Sequence, residues 1–159
     1  MNSYSAKLRT PFAVLGLASN GTALTRVTYL PLSERAQAPT DKVSERAMDE
    51  LARYLADPQF RFTVPLAPAG TSFRQRVWSM LSAIPPGQSR TYGEVARLVR
   101  SAPRAIGQAC GANPIALIIP CHRVVAAMGS LGGFMNAAEG DPIAIKRWLL
   151  THEGYRFGA

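Results

Sequence analysis

Cysteine and histidine are scarce in this chain, with two of each among 159 residues. Cys110 and Cys121 form no Cys-x-x-Cys pair. A structural zinc site would have to recruit carboxylates, so no metal is expected. Long apolar runs are lacking as well, and none reaches the ~20 residues of a membrane-spanning helix. The opening Met1-Asn2-Ser3-Tyr4-Ser5-Ala6-Lys7 has no apolar core of the kind a secretory leader carries. These absences point to a cytoplasmic protein with reduced thiols and no membrane partner. A disulfide is geometrically open there but not expected. Cys110 reads as a small apolar residue on a helix.

Acidic residues are also few, ten against 18 basic, for a net charge of +8. Residues 1–69 carry 8 basic and 6 acidic side chains, a net of +2; residues 70–159 carry 10 and 4, a net of +6. Nine of the ten basic residues in the later part are arginine, the better phosphate binder. A polyanion, nucleic acid first, is the partner this asymmetry suggests.

What is present reads as an ordinary globular chain, 47% hydrophobic and 18% charged, long enough for one large domain or two small ones. Two apolar segments, 12–18 and 23–30, flank Asn20-Gly21, a strong hairpin signal. A helix is predicted from about Asp41 to Ala56, capped by Thr40 and stopped by Asp57-Pro58, with another strand over Phe60 to Val64. Pro65-Leu66-Ala67-Pro68-Ala69-Gly70 reads as a linker, giving domains 1–66 and 67–159.

The later part is mostly helical. Ser72-x-x-Gln75 and Thr91-x-x-Glu94 have capping-box spacing, and Pro103 suits a first helical turn. The short helices after Thr91 and from Pro103 to Ala112 form a helix-turn-helix candidate. Ala102, Ala105, Gly107, Ala109, Gly111 and Ala112 make the second unusually small, which fits tight packing or a narrow groove; pattern alone favours packing. Ile115 to Ile119 is an apolar run predicted to be a buried strand or extended segment. Asp141-Pro142 starts a last helix, ended by Gly154.

The run leads into Ile119-Pro120-Cys121-His122-Arg123-Val124. A thiol becomes a useful nucleophile only as thiolate, which needs a base or cation nearby. Adjacency alone is weak evidence that His122 is that base, since neighbours often point apart.

Several ordered motifs together resemble the O6-alkylguanine-DNA alkyltransferases. They are Gly70-Thr71-Ser72-Phe73-Arg74-Gln75-Arg76-Val77-Trp78, Ile84-Pro85-Pro86-Gly87, Thr91-Tyr92-Gly93-Glu94-Val95-Ala96, Arg104-Ala105-Ile106-Gly107, Asn113-Pro114-Ile115, Pro120-Cys121-His122-Arg123-Val124-Val125 and Lys146-x-Trp148-Leu149-Leu150-x-His152-Glu153-Gly154. The resemblance covers about Gly70 to Gly154. It implies an α/β ribonuclease-H-like N-terminal domain and a mainly helical, winged-helix-like C-terminal domain with a helix-turn-helix. It further implies repair of O6-alkylguanine in double-stranded DNA, bound through the minor groove with the damaged base flipped out. Cys121 would take the alkyl group in one irreversible step, each molecule acting once. By the same resemblance Glu153 orients His122, His122 takes the thiol proton through a water, and Asn113 ties the helix pair to the active-site segment. Tyr92 would hydrogen-bond the leaving guanine and help rotate the phosphate. Pro103, Arg104, Ala105, Gly107, Tyr92 and Arg123 would meet DNA, with Arg104 filling the vacated stack. Val124, Gly132, Gly133, Phe134 and Met135 would line the base pocket.

No cofactor is implied. The N-terminal zinc of many members is not expected, because no cysteine or histidine precedes Cys110. A monomer is expected, with cooperativity on DNA and O4-alkylthymine activity left open. Two departures stand out: phenylalanine at 134, where the family has tyrosine, and a longer loop over Met135 to Asp141. They keep alive a non-catalytic protein that only recognises alkylated bases, although Cys121 argues against it. A transcriptional regulator lacks the extra domain it would need, and a generic cysteine hydrolase has no sign of an oxyanion hole. Outside the resemblance, Arg123 reads as a structural ion-pair partner, Trp78 and Trp148 as core, and His152 as a surface or packing residue.

Overall fold

The computed structural model describes residues 3–126, 132 and 141–156. It divides into two compact units, Met1–Ala69 with Pro114–Ile118, and Gly70–Asn113 with Ile119–Ala159. The expected pocket residues Gly133, Phe134 and Met135, and the loop before the last helix, lie outside the described residues. Among those described, no helix is long and apolar enough to cross a membrane.

The first unit is an antiparallel meander of β1 (Ala6–Arg9), β2 (Val14–Ser19) and β3 (Leu24–Leu30) with helix α1 (Lys42–Ala56). The hairpin joining β2 and β3 turns at Asn20, whose Oδ1 accepts the amides of Thr22 and Ala23, both at 2.9 Å. Val14, Leu15, Leu17, Leu24 and Val27 of the sheet are buried, as are Ala47, Leu51 and Tyr54 of α1, which packs on all three strands.

Three details differ from the sequence reading. Asp41, not Thr40, caps α1, accepting from the Ser44 amide at 2.8 Å; the Thr40 hydroxyl instead donates to Ser5 O. Residues 60–64 form no strand. The Glu50 carboxylate takes the Thr63 and Val64 amides, at 2.8 and 3.0 Å, so a side chain satisfies donors that a ladder would have used. Ile115–Ile119 is likewise no strand. Ile115 makes one bridge to Val27, and Ile118 N then donates to Ala116 O at 2.8 Å across Leu117, φ +70°. That is a γ-turn of the strained, positive-φ kind, and it bends a run that apolarity alone would have drawn straight.

The second unit packs α2 (Ser72–Ser82), α3 (Tyr92–Leu98), α4 (Pro103–Gly111) and α5 (Asp141–His152) with a two-residue parallel pair, β4 (Arg90–Thr91) and β5 (Val124–Val125). The cap of α2 is Thr71, one residue earlier than expected, accepting from Arg74 N. The capping box at Thr91 and Glu94 is formed. Trp78 is buried and its Nε1 donates to Ala109 O at 2.9 Å, pinning α2 to α4. Trp148 is only half-buried and stacks on His152, centroids 4.9 Å apart.

The end of α5 positions the site. Gly154 N donates to Thr151 O and Tyr155 N to Leu150 O, at 3.0 and 2.9 Å. With Gly154 at φ +85°, this is a Schellman motif that leaves Glu153 as the capping residue. A Cβ on Gly154 would meet nothing within 4 Å, so replacement strains the backbone alone. Gly154→Ala is expected to cost about 1–2 kcal/mol, with Gly154→Asn recovering part because asparagine tolerates this region. Thermal unfolding of the three proteins checks this, and equal melting of Ala and Asn variants would count against it.

Candidate active site

Cys121 is set by its local backbone. Its amide donates to Ile119 O at 2.8 Å across Pro120, whose φ −83° and ψ 67° make an inverse γ-turn. Cys121–Arg123 is then one turn of 3-10 helix leading into β5. The turn buries three consecutive polar or nucleophilic side chains: Cys121 is 4% exposed, His122 1% and Arg123 8%.

Asn113, just beyond α4, reaches the nucleophile directly. Its Nδ2 donates to Ile119 O at 2.9 Å and to Cys121 Sγ at 3.3 Å. One amide thus fixes both the carbonyl before the turn and the sulfur after it. Burial pushes the Cys121 thiol well up, against the lowering effect of Asn113 and the Lys146 cation. Until something removes the proton, this sulfur is a thiol.

The group able to do so is next to it in sequence. His122 Nε2 and Glu153 Oε2 are 2.8 Å apart, both buried. Burial lowers the His122 pKa, with Glu153 opposing. Burial also works against the Glu153 charge, but His122 and Arg123 outweigh it and hold the carboxyl well below its ordinary range. An ionised carboxylate only accepts, so Nε2 carries the proton and Nδ1 keeps its lone pair. Nδ1 is buried and makes no hydrogen bond among the described residues, the state expected of a general base.

Arg123, expected both as an ion-pair partner and at the DNA surface, is placed inside. Its Nε and Nη2 fork onto Glu153 at 2.9 and 3.0 Å, and Nη1 donates to Ile84 O at 2.6 Å. This geometry steers Glu153 and leaves the guanidinium no room to serve a phosphate.

Lys146 stands in the last sequence motif, but the sequence reading gave it no role. It is wholly buried on α5, its Nζ donating to Val124 O at 2.7 Å and lying 5.7 Å from the Tyr92 ring centroid. Burial lowers its pKa to about 8, against the pull of the Cys110 and Cys121 thiols. The missed signal was periodic: Lys146, Leu149, Leu150 and Glu153 fall on one helical face and all are buried. Tyr92, the first residue of α3, has its hydroxyl pushed up by burial and by both cysteines, so it stays a donor. Gly132, φ +69°, brings its backbone to the same ring; a Cβ there would lie 3.0 Å from Tyr92 Cε2. Val124 has both backbone groups engaged, its amide on Cys121 O and its carbonyl on Lys146.

The surface candidates sit on α4. Pro103 and Arg104 are exposed, Ala105 and Gly107 half-exposed. A Cβ on Gly107 would meet nothing within 4 Å. That face is open, so the tight-packing reading of the small residues fails at Gly107. Ile106 and Ala109 form the buried face instead. Arg97 and Arg100, just ahead of α4 in the chain, are exposed as well.

Known proteins resemble this chain over most of its length. The model for the DNA-binding domain of 6-O-methylguanine DNA methyltransferase matches residues 72–155. A methylated-DNA–protein-cysteine methyltransferase of Methanosarcina acetivorans is 37% identical over 158 residues, 95% of this chain and 98% of its own. One from Mycobacterium bovis is 42% identical over 153 residues, 92% of this chain and 89% of its own. The crystal structure of Mycobacterium tuberculosis OGT in complex with DNA is similar with a TM-score of 0.79 at 39% identity, covering 92% of this chain and 90% of that one. With a family model over more than half the sequence and such relatives over nine-tenths of it, the chain belongs to the 6-O-methylguanine DNA methyltransferase family.

Proposed function

We propose that this protein repairs DNA by direct reversal, moving the alkyl group of O6-alkylguanine onto Cys121 in a single irreversible turnover. The observation that carries the reading is the buried pair Glu153–His122, its Nδ1 without a hydrogen bond among the described residues, next in sequence to a thiol held by Asn113. His122 Nδ1 takes the thiol proton through a water. The thiolate attacks the alkyl carbon, the carbon–O6 bond breaks, and its electron pair passes to the guanine, which Tyr92 steadies by donating its hydroxyl. The resulting thioether has no ready hydrolysis, so the sulfur is not regenerated.

The α3–α4 pair serves as a helix-turn-helix that enters the minor groove by the open face of α4, with Arg104 filling the stack where the guanine has flipped out. The antiparallel meander with α1 corresponds to a ribonuclease-H-like N-terminal domain, residues 1–66, and the helical part of 67–159, apart from Pro114–Ile118 in the first compact unit, to the winged-helix-like DNA-binding and transfer domain. The site of action is cytoplasmic DNA.

The test is intact-protein mass after incubation with a duplex carrying one O6-methylguanine. Wild type is expected to gain one methyl group per chain, and Cys121→Ser none. Lesion-selective binding without mass gain would replace transfer by recognition, and neither gain nor selectivity would end the reading.

A further inference from the structure

The transfer steps leave one sequence motif without a task, Ile84-Pro85-Pro86-Gly87. It follows the end of α2 and leads into β4. Gln88 N donates to Pro85 O at 3.2 Å, and Gly87 has φ +84°. Proline at the second position and a positive φ at the third make this a type II turn, the kind that calls for glycine there. Both ends are tied down. Ile84 is buried, its amide on Leu81 O and its carbonyl taking Arg123 Nη1 at 2.6 Å. Past the turn, Arg90 and Thr91 pair with Val124 and Val125.

The turn also meets the residue that orients the base. A Cβ on Gly87 would lie 3.0 Å from the backbone oxygen of Glu153. That oxygen has little freedom to retreat, because Glu153 N is bonded to Leu149 O at 3.0 Å and the cap at Gly154 follows at once. The contacts close a ring. Ile84 O holds Arg123, Arg123 forks onto the Glu153 carboxylate, and the Glu153 backbone returns to Gly87. His122 is held by the same carboxylate at 2.8 Å.

We propose that Gly87 is a positioning residue for alkyl transfer: its turn braces Glu153 from the backbone side while Ile84 O braces Arg123, and the missing side chain sets how far Glu153 reaches toward His122. The role rests on the alkyl-transfer reading, and Gly87 acts on the chemistry only through Glu153. Glycine is needed here for two reasons, the φ and the clearance, and asparagine separates them. Asparagine is accepted at the third position of a type II turn, but its Cβ would press on Glu153 O. The turn and the helix end would then have to part by a few tenths of an ångström.

The experiment is single-turnover transfer from an O6-methylguanine duplex with protein concentration varied, which separates the limiting rate from the half-saturation point. A misplacement of about 1 Å costs roughly 10²-fold, so the limiting rate of Gly87→Asn is expected to fall about three- to tenfold, with half-saturation held within about twofold. The control is Gly21→Asn, with a similar φ of +94° and nothing within 4 Å of a Cβ; it is expected to keep the wild-type rate. The second readout is the magnetic resonance signal of the His122 Nε2 proton in isotope-labelled protein without DNA. That signal reports the bond to Glu153, and it is expected to move in Gly87→Asn and stay in Gly21→Asn. A folded Gly87→Asn with the wild-type rate and an unmoved signal overturns the proposal, as does an equal loss of rate in Gly21→Asn. If Gly87→Asn does not fold, Pro86→Ala decides, since it keeps the glycine and loosens the turn. It is expected to move the same signal and lower the limiting rate, and wild-type behaviour in both would overturn the proposal. A wild-type chain that takes up no alkyl group, with the His122 signal still displaced in Gly87→Asn, would end the alkyl-transfer reading and leave the brace on Glu153 standing.

Discussion

Glu153→Gln is expected to slow alkyl transfer by about 10²–10⁴-fold, the range of a general acid–base contribution, while leaving DNA affinity unchanged. The carboxylate is buried, where it holds His122 and Arg123, so it presents no surface to DNA. A glutamine can turn its NH₂ toward His122, which favours the tautomer with the proton on Nδ1 and removes the base. Removing the charge also strands a buried guanidinium. Breaking such a pair costs up to about 3–5 kcal/mol, less here because the amide oxygen can still accept from Arg123. The double variant Glu153→Gln with Arg123→Met should regain stability but not rate. As for pH, the native carboxyl sits well below the unfolded value of 4.5. Its stabilisation is therefore full above pH 4.5 and fades as pH falls below it. Single-turnover kinetics on an O6-methylguanine duplex and thermal melts from pH 3 to 8 read both effects. A wild-type rate in Glu153→Gln would remove the orienting role.

Lys146→Met separates stability from reactivity in the opposite sense. A buried ammonium is costly even with its hydrogen bond to Val124 O, and methionine fills a similar space without charge. The variant should melt at or above the wild-type temperature at pH 7, by the relief of that cost. Transfer should nevertheless slow by about tenfold or more, since one unit of thiol pKa is worth ~1.4 kcal/mol and the cation is one of the two groups that lower the Cys121 value. The sign with pH follows from Lys146 titrating near 8 in the fold against 10.5 unfolded. Between those values the unfolded chain binds the proton that the fold has released. Wild-type stability therefore rises relative to the variant as pH climbs from 8 toward 10.5. The rate difference should shrink over the same window as the native cation is lost. Equal rates at pH 7, or a difference indifferent to pH 8, would show that Lys146 only props up Val124.

How much of this was legible from the chain differs by kind of residue. The hairpin, α1, the Thr91 capping box and the span of α5 followed from period and cap chemistry, because those signals are local. Residues 60–64 misled for the opposite reason: Glu50, more than ten residues away, takes the amides that would have made a ladder. Ile115–Ile119 misled because apolarity reports burial, which it has, and says nothing of a positive φ at Leu117. In the site, Cys121 and His122 were visible as a motif. Arg123 was ambiguous because a guanidinium suits a phosphate and a carboxylate equally well, and only the fold shows Glu153 already there. Lys146 was hidden because lysine is expected on the wet side of a helix.

The Schellman turn at Gly154 has a consequence for the order of synthesis. His122 and its partner Glu153 are 31 positions apart, and Glu153 takes its place only when the amides of Gly154 and Tyr155 have closed the end of α5. A ribosome therefore delivers the thiol long before it delivers the partner that makes it useful. The emerging chain carries an ordinary cysteine, and the full set of buried partners around it waits for the end of α5 to close. A site that can react only once is in this way kept from reacting before its buried ion pair has formed.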